Sequence, residues 1–466
     1  MRIKKLPCVF LLLSLGCATY YTQSIKFQEH FVRGELEQAA KVLDKNKRAA
    51  KDKNRLLYFL QKGVVLQMLG KFEESNRFFE EAYLFAEDIQ KNYAAEAFGL
   101  LSNPAVMPYK GEDFERVQIH YYKALNCLKL GQFEEALVEC RRIDIKLNSL
   151  NDKYSNRKNR YKTDAFALNL MGMIFEASGD HNSAFISYRN AYEAYEKEYK
   201  PSFGVETPLQ LKKDLLRSAY LNGFTEELDR YETLFGLKYV PPVGEGGHLV
   251  FFWHNGLGPV KDEWSINFFL VRGKGGLVTF ANEELGLSFP FLLDGGSGKT
   301  STELGDLKFI RAAFPKYLER KPYFRSAEVV VSGETYPLEF AQNINEIALK
   351  TLEDRMVREL SHSLLRLAVK QASEQAVRKK NENLGALLSV ANAISEKTDT
   401  RNWQTLPYSI SYARFPLPVG ERCSIELRTY SPRKSRASSV TFQVEGEPGE
   451  TLFWVYHTLE SLPLER

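Results

Sequence analysis

The chain has 466 residues, of which 44% are hydrophobic and 26% are charged, and its formal net charge is +4. This composition is typical of globular proteins and argues against extensive disorder, and the length allows two or more domains. Because Arg2, Lys4 and Lys5 supply much of the net charge, the rest of the chain is close to neutral. A charge this small argues against a dedicated nucleic-acid-binding function.

A short hydrophobic leader opens the chain. Basic residues precede an apolar run from Leu6 to Leu15, and Gly16 and Cys17 follow it. A basic start, a short apolar stretch and a small residue before the cleavage site are typical of a secretory signal peptide. The Gly16–Cys17 pair narrows this to a bacterial lipoprotein signal, in which residues 1–16 are removed and Cys17 carries the lipid.

The leader also predicts where the protein is found. Its apolar run is shorter than the roughly 20 residues that span a bilayer, so we predict no membrane helix there. Cleavage without lipidation is the alternative interpretation. Ala18 stands where an aspartate would retain a lipoprotein at the inner membrane. We therefore expect a lipid-anchored protein of the cell envelope, at the outer membrane and facing the periplasm.

Three cysteines remain once Cys8 leaves with the leader and Cys17 is lipidated. Cys127, Cys140 and Cys423 are too few for a disulfide framework. Cys127 and Cys140 lie on consecutive predicted helices, and they form either a disulfide or two buried positions of a helical core. Cys423 alternates with apolar residues and is predicted to point inward from a strand.

A helical repeat extends from about residue 20 to residue 235. Each clear unit has a small residue, a glycine seven positions later and a large residue soon after, and small and aromatic residues follow on the next helix. The positions are Gly63, Gly70, Phe72, Phe79 and Ala82, then Ala124, Gly131, Phe133 and Ala136, then Gly172, Gly179, Ala184, Tyr188 and Ala191. This pattern is typical of tetratricopeptide repeats of about 34 residues. Partial units surround Gly34 and Gly223.

The spacing of these residues has a physical reason. The first small residue lets one helix approach the next closely, and the glycine permits the left-handed turn between them. Because a unit cannot bury its own apolar face, the units are expected to stack into a solenoid. A generic helical bundle is the alternative. By analogy of architecture, the aromatic-rich concave face of the stack is the predicted docking site for a protein partner.

The second half of the chain has a different pattern. Prolines and glycines at 239–247 predict a linker, and short β-rich runs follow it. The apolar run at 250–253 predicts a strand buried on both faces. Helical periodicity returns from Asn343 to Lys380, and a second helix is predicted from Leu384 to Ser395.

These patterns give a domain organisation of four parts. We predict a leader at 1–16, an all-α tetratricopeptide-like solenoid at 17–238, the linker, and a domain at 248–466. The last part is predicted to be an α+β domain with a mostly antiparallel sheet and an inserted long helix pair.

Three motifs in the second half carry a resemblance. They are Asn255–Lys261, Arg311–Tyr317 and Thr398–Pro407. Their order and spacing, together with the leader and repeats, resemble a bacterial family of tetratricopeptide-repeat-containing envelope lipoproteins to which no reaction is assigned. The resemblance implies an association with envelope lipoproteins, including activators of peptidoglycan synthesis. Motif positions without an assigned role are Asn255, Gly256, Gly258, Pro259, Lys261, Asp399, Arg401 and Trp403.

Structural roles are favoured over ligand contacts for these motif residues. The glycines of the first motif suit a tight loop, and Lys261 is predicted to lie at a solvated turn. Trp403 is predicted to cap the core, and Arg401 to pair with Asp399.

Motifs for catalysis or cofactor binding were weighed and rejected. The stretch Asp294–Thr300 ends like a phosphate-binding loop, but Leu293 stands where that motif requires glycine. Ser297 lacks the following glycine of a nucleophile elbow. His248 and His254 have no neighbouring cysteine or acidic pattern of a zinc site. The sequence therefore predicts no nucleotide, metal or other cofactor.

The predicted function is a lipid-anchored periplasmic scaffold or adaptor that binds a protein partner through its repeats, in envelope or peptidoglycan assembly. Two alternatives remain open. An enzyme with its site in the C-terminal domain would show a cleft that groups His254, Glu263 and Lys261. A binder of a polysaccharide or small ligand would show a deep aromatic-lined pocket.

Overall fold

The computed structural model describes residues 22–46, 49–91, 107–153, 159–241, 246–272, 277–292, 309–380, 398–418, 420, 422–433 and 437–464. The leader and Cys17 lie outside these ranges. So do the glycine-rich stretch Asp294–Thr300 and the second predicted helix, Leu384–Ser395. Among the residues that are described, no helix is long and apolar enough to cross a membrane.

The described N-terminal half consists of helices that follow one another in antiparallel pairs. They are α1 (22–32), α2 (Leu36–Lys45), α3 (Arg55–Met68), α4 (Phe72–Lys91), α5 (Asp113–Lys129), α6 (Phe133–Lys153), α7 (Ala165–Ala177), α8 (His181–Ala194), α9 (Lys200–Phe203), α10 (Leu209–Leu221) and α11 (Thr225–Phe235). A single 3-10 turn, Ala49–Lys51, precedes α3, and a π-helical turn, Tyr195–Tyr199, extends α8. The prediction of a tetratricopeptide-like helical solenoid is confirmed.

The turn within each pair contains a glycine with a left-handed backbone. The φ angles are 73° at Gly34, 74° at Gly70, 72° at Gly131, 83° at Gly179 and 69° at Gly223. A residue with a side chain is strained in this region, whereas glycine enters it freely. These glycines therefore mark where each first helix ends and its partner begins.

Close helix contact within the pairs depends on the small residues. A Cβ atom added at Gly63 would lie 2.7 Å from the ring of Phe79, and one at Gly172 would lie 2.4 Å from the ring of Tyr188. Ala124 occupies the equivalent place on α5 and is fully buried. The other small or aromatic repeat positions on the second helices, Ala82, Ala136, Ala184 and Ala191, are also fully buried. Phe72 and Phe133, at the turns, are half-buried.

The described residues of the C-terminal half form three four-stranded sheets. The strands are β1 (Gly247–Asn255), β2 (Val260–Arg272), β3 (Leu277–Asn282), β4 (Leu287–Leu292), β5 (Phe309–Leu318), β6 (Ser326–Val331), β7 (Glu334–Pro337), β8 (Glu339–Asn343), β9 (Ser409–Leu417), β10 (Cys423–Tyr430), β11 (Ser438–Val444) and β12 (Thr451–Thr458). Their orders are β12-β1-β9-β8, β11-β10-β6-β7 and β4-β3-β2-β5. Pairing is antiparallel except between β1 and β12. The first strand takes in Gly247, which was predicted to belong to the linker.

The first sheet is the middle layer of the molecule. Val250 and Phe252 on β1 belong to the same apolar cluster as the helices, whereas Leu249, Phe251 and Trp253 pack toward the second sheet. Successive side chains of a strand point to opposite faces, so a sheet between two layers buries every residue. This explains the continuous apolar run at 250–253.

The third sheet packs on a long helix, α12 (Ile344–Lys380). Leu360, Leu364 and Leu367 of this helix contact one face of the sheet, including Phe268 and Phe314. The helix begins directly after β8, so it joins the middle layer to the third sheet.

The three cysteines that the structure describes, Cys127, Cys140 and Cys423, are free thiols. Cys127 and Cys140 are both buried in the helical core, and burial raises the pKa of each thiol. Cys423 points inward from β10. The structure therefore favours buried core positions over a disulfide for the first two.

Candidate functional site

The face formed by the first helices of the pairs is covered by the protein's own C-terminal half. Helix α5 is buried without interruption from Phe114 to Leu128, and α3 from Leu56 to Gln67. The Asn169 side chain of α7 donates to Tyr412 Oη on β9 at 3.0 Å. Because strands β1 and β9 occupy this face, the prediction that it is an open docking site for a partner is wrong.

The three sequence motifs meet at this internal interface. The Asn402 side chain donates to the Pro259 carbonyl oxygen at 2.8 Å, and the Gly258 amide donates to the Leu406 carbonyl oxygen at 2.7 Å. Lys261 on β2 is paired in register with Tyr317 on β5. The motifs are far apart in the chain but form one continuous structure.

Close approach requires glycine at one position of the first motif, Gly256. A Cβ there would lie 2.8 Å from Pro322, and the φ of 64° also favours glycine. A Cβ at Gly258 would make ordinary van der Waals contact, 3.4 Å from the Leu406 carbonyl oxygen. Asn255 donates from its side chain to the Phe324 carbonyl oxygen at 2.8 Å. These residues hold the loop after β1 in place and are not open to a ligand.

Lys261 lies in a buried ion cluster, and its predicted place at a solvated turn is wrong. Its Nζ lies 2.5 Å from Glu112 Oε1, and Arg355 of α12 donates to the other oxygen of the same carboxylate. Burial alone would raise the pKa of Glu112, but the charges of Arg355 and Lys261 outweigh it and hold that pKa well below its usual range. The cluster joins α5, β2 and α12.

A second buried carboxylate, Glu115, lies one helical turn further along α5. It accepts hydrogen bonds from the Trp403 amide at 2.6 Å and from Tyr109 Oη at 2.5 Å. Burial and the neighbouring Glu112 charge raise the pKa of Glu115 to about 7. The carboxylate therefore fixes the third motif on the helices.

Arg401 and Trp403 complete the connection. Arg401 pairs with Asp399 at 2.6 Å, as predicted, and donates to the Met107 carbonyl oxygen at 2.9 Å. Trp403 is 1% exposed, and its ring lies 5.5 Å from that of Tyr122. All these motif contacts are structural.

The residues of a possible catalytic cleft have separate partners. His254 lies 2.9 Å from Tyr121 Oη, Lys261 pairs with Glu112, and Glu263 accepts from the Thr398 amide at 2.9 Å. Within the described ranges, no group of three His, Cys, Asp or Glu residues is placed to hold a metal ion.

His254 is stacked edge-on against His457 of β12, with 4.4 Å between ring centroids. Burial lowers the pKa of His254 well below its usual range and that of His457 to about 3. Both imidazoles are therefore neutral near pH 7.

An open groove lies between β12 and the turn ends of the first three helix pairs. It has a volume of about 840 Å³. A second cavity, of about 480 Å³, lies on the other side of β12, beside β10 and β11. Both are lined by Val32, Tyr456, Thr458 and Glu460, so they form one continuous surface. We call this surface the β12 groove.

The floor of the β12 groove is a free strand edge. Strand β12 is the last strand of the first sheet and pairs only with β1 in the described part of that sheet. The His248 amide donates to the Glu450 carbonyl oxygen, and the Gly256 amide to that of Thr458. Since backbone groups alternate in direction along a parallel strand, Val455 and His457 direct theirs into the groove.

Lys129, at the end of α5, closes one end of this edge. Its Nζ donates to the Phe453 carbonyl oxygen at 3.3 Å and lies 4.5 Å from the ring centroid of Trp454. Burial lowers the pKa of Lys129.

Of the repeat positions singled out in the sequence, Gly34, Gly70 and Phe72 line the β12 groove. Sequence reasoning missed Lys129 and the β12 residues because the groove joins positions from Val32 to Glu460. Residues 451–456 are one of the β-rich runs that predict a strand, but nothing local to this run indicates a free edge.

No protein-family model matches the chain, and no curated protein matches it. Solved structures to which part of the chain is similar include the MamA protein (13% identity, covering 47% of this chain and 97% of that chain, TM-score 0.30), a tetratricopeptide repeat protein from Parabacteroides merdae (15% identity, 47% and 65%, TM-score 0.31) and BtubC (BKLC) from P. vanneervenii (15% identity, 49% and 85%, TM-score 0.31). Each similarity covers less than half of the chain, so the repeat assignment rests on the helix pairs and turn glycines described above.

Proposed function

We propose that this protein is a non-catalytic adaptor, anchored in the cell envelope by a lipid on Cys17, that binds a partner protein in the β12 groove. The observation that carries the proposal is the contrast between two surfaces. The inner face of the helix pairs is filled by β1 and β9, whereas the groove is open and has apolar walls from Met68, Phe72 and Leu125. Open apolar concavities are typical binding sites.

The cellular setting is part of the same proposal. The leader and Cys17 support an outer-membrane protein that faces the periplasm. The family resemblance supports a partner from envelope or peptidoglycan assembly.

A polysaccharide is the second candidate occupant, because Trp454 and Tyr456 line the groove. Sugar binding to aromatic residues needs a free ring face. The Trp454 ring is packed by Lys129 and by Phe442, at 5.5 Å, and Phe442 also lies 5.2 Å from Tyr456. These occupied rings favour a protein partner over a sugar.

Site-specific photocrosslinking in cells tests the proposed site. A photoreactive residue is placed at Arg33 or Glu460, on opposite sides of the groove, and at Ile145, an outward-facing residue of α6 that is 66% exposed. The first two positions are expected to crosslink to the same protein, and Ile145 is not. Met68→Glu places a charge on the apolar wall and is expected to abolish both adducts, whereas Met68→Leu keeps them.

Equal crosslinking from Ile145, or adducts that survive Met68→Glu, would contradict the proposed site. Crosslinking to glycan strands in place of a protein would favour the polysaccharide candidate. The anchor is tested separately with Cys17→Ala, which is expected to move the protein from the membrane to the soluble periplasmic fraction. Membrane association that persists in this variant would defeat the lipid anchor.

A further inference from the structure

We infer that the partner segment in the β12 groove is an extended peptide that joins the first sheet as an additional strand along β12. This inference rests on the proposed function and specifies how the same site recognises its partner. Strand addition to a free sheet edge uses main-chain hydrogen bonds for affinity and side-chain pockets for specificity.

The hydrogen-bonding groups for an added strand are present on β12. Val455 and His457 each direct an amide N–H and a carbonyl oxygen toward the groove, as the parallel register with β1 requires. Beyond the Lys129 contact at Phe453, the edge that remains open runs from Trp454 to Thr458. At about 3.3 Å per residue, it accommodates a segment of roughly five residues.

The two cavities lie on the two faces that such a strand would have. Side chains of a strand alternate between faces, so every second residue would enter each cavity. The larger cavity is lined on the helical side by Leu36, Met68, Phe72 and Leu125, and suits large apolar side chains. The smaller one is lined by Leu427 and Val440 as well as by Thr429 and Ser438, and accepts apolar or polar side chains. The partner segment is therefore apolar at alternate positions.

The Lys129 ammonium at one end of the groove favours an acidic residue in the partner segment. Lys129 contacts a carbonyl oxygen and the Trp454 ring, and no ion pair joins it to a carboxylate in the described part of the chain. A half-buried ammonium without a counter-ion gains most from an acidic partner. The added strand therefore carries an aspartate or glutamate side chain where it passes Lys129.

Peptides of about ten residues, selected from a random library on the full-length protein, are the probe, because this length covers the open edge with a margin. The variants Val455→Pro and Val455→Thr form a matched pair. Proline removes the amide N–H that faces the groove, and threonine keeps it with a side chain of similar shape. Loss of this bond and misfit of the proline ring are expected to weaken binding at least about tenfold, with threonine near wild type.

Two further measurements accompany the affinities. Bound peptide is expected to slow amide hydrogen exchange at Val455 and His457. Lys129→Gln is expected to weaken the binding of peptides that contain an acidic residue. The affinity of the same peptides with glutamine or asparagine at that position is expected to stay unchanged.

The outcomes separate this inference from the proposed function. If the peptides lose binding to Met68→Glu but bind Val455→Pro as tightly as the wild type, strand addition is contradicted. Binding in the groove would still hold. A library that yields no groove-dependent peptide would also overturn it, and the crosslinks from Arg33 and Glu460 then decide the proposed function alone. Selected peptides without alternating apolar residues would contradict the pocket assignment.

Discussion

Lys261, Glu112 and Arg355 lie on three elements that the sequence places far apart, and the structure joins them in one buried ion cluster. A buried charge is stable only while its partner remains. Replacing one member of the cluster therefore lowers the free energy of unfolding by more than an exposed ion pair contributes to it.

Lys261→Met is expected to lower the free energy of unfolding by about 3–5 kcal/mol, because Glu112 loses one of its two counter-ions in a buried site. The matched control is Lys197→Met, since Lys197 pairs with Glu193 but is 71% exposed. That change is expected to lower the free energy of unfolding far less, because solvent screens the exposed pair. Urea unfolding measures both, and similar losses for the two variants would contradict the assigned role of the cluster.

Gly172→Ala tests the close helix contact within a repeat. Alanine favours a helix by about 1 kcal/mol over glycine, but its Cβ would overlap the ring of Tyr188. Overpacking is expected to win and to destabilise the protein by about 1–3 kcal/mol. Thermal unfolding of Gly172→Ala, Tyr188→Leu and the double variant forms a cycle. If Tyr188→Leu does not reduce the destabilisation caused by Gly172→Ala, overlap with the ring of Tyr188 is not the cause of that destabilisation.

His457 gives a prediction about pH. Because burial lowers its pKa to about 3, the unfolded chain binds more protons than the folded protein below about pH 6.5. The free energy of unfolding therefore falls as the pH falls from about 6.5 toward 3. In His457→Leu this fall is expected to be shallower by up to about 1.4 kcal/mol per pH unit, with no change of slope above pH 7. Chemical denaturation across this range measures it, and parallel curves would contradict the shifted pKa.

At the scale of elements, the helices follow from the sequence because their determinants are local. Gly70, Gly131 and Gly179 end the first helices, and the small residues seven positions earlier permit close packing. Strand β1 could be predicted for the same reason, since its apolar run is continuous.

The docking of β1 and β9 on the helices could not be predicted in this way. It depends on pairs such as Asn169 with Tyr412, which are distant in sequence and carry no local pattern. The β12 groove follows from this docking, so it was hidden for the same physical reason. The motif loops were recognised as a pattern, but their role depends on contacts with α5.

The loop that carries Trp403 is expected to hold the C-terminal half on the helices. Trp403→Ala removes a buried ring that packs on Phe79 and Tyr122, and should cost about 3–5 kcal/mol. Hydrogen exchange should then rise in α5, which lies beneath the loop. Tyr336→Ala, which removes a half-buried ring of β7 in the second sheet that packs on Phe415, is the control and should leave exchange in α5 unchanged. A rise confined to the loop itself would contradict a connecting role.

At the scale of the whole molecule, the helical half and the first sheet share one apolar core, while the second and third sheets each pack in a cluster of their own. Residues as distant as Phe166, Phe252 and Tyr412 belong to the shared core. Because β1 and β9 fill the inner face of the solenoid, that face is not available to a partner. The free edge of β12 lies at the rim of the same interface, where the sheet extends beyond its cover.

The most direct test of the shared core is calorimetry of the mature chain, made soluble by Cys17→Ala. We expect one cooperative transition, which Trp403→Ala shifts as a whole to lower temperature, because the two halves unfold together. Two resolved transitions, only one of which responds to Trp403→Ala, would show that the halves are independent. In that case the inner face of the repeats would again be a candidate binding site for a partner.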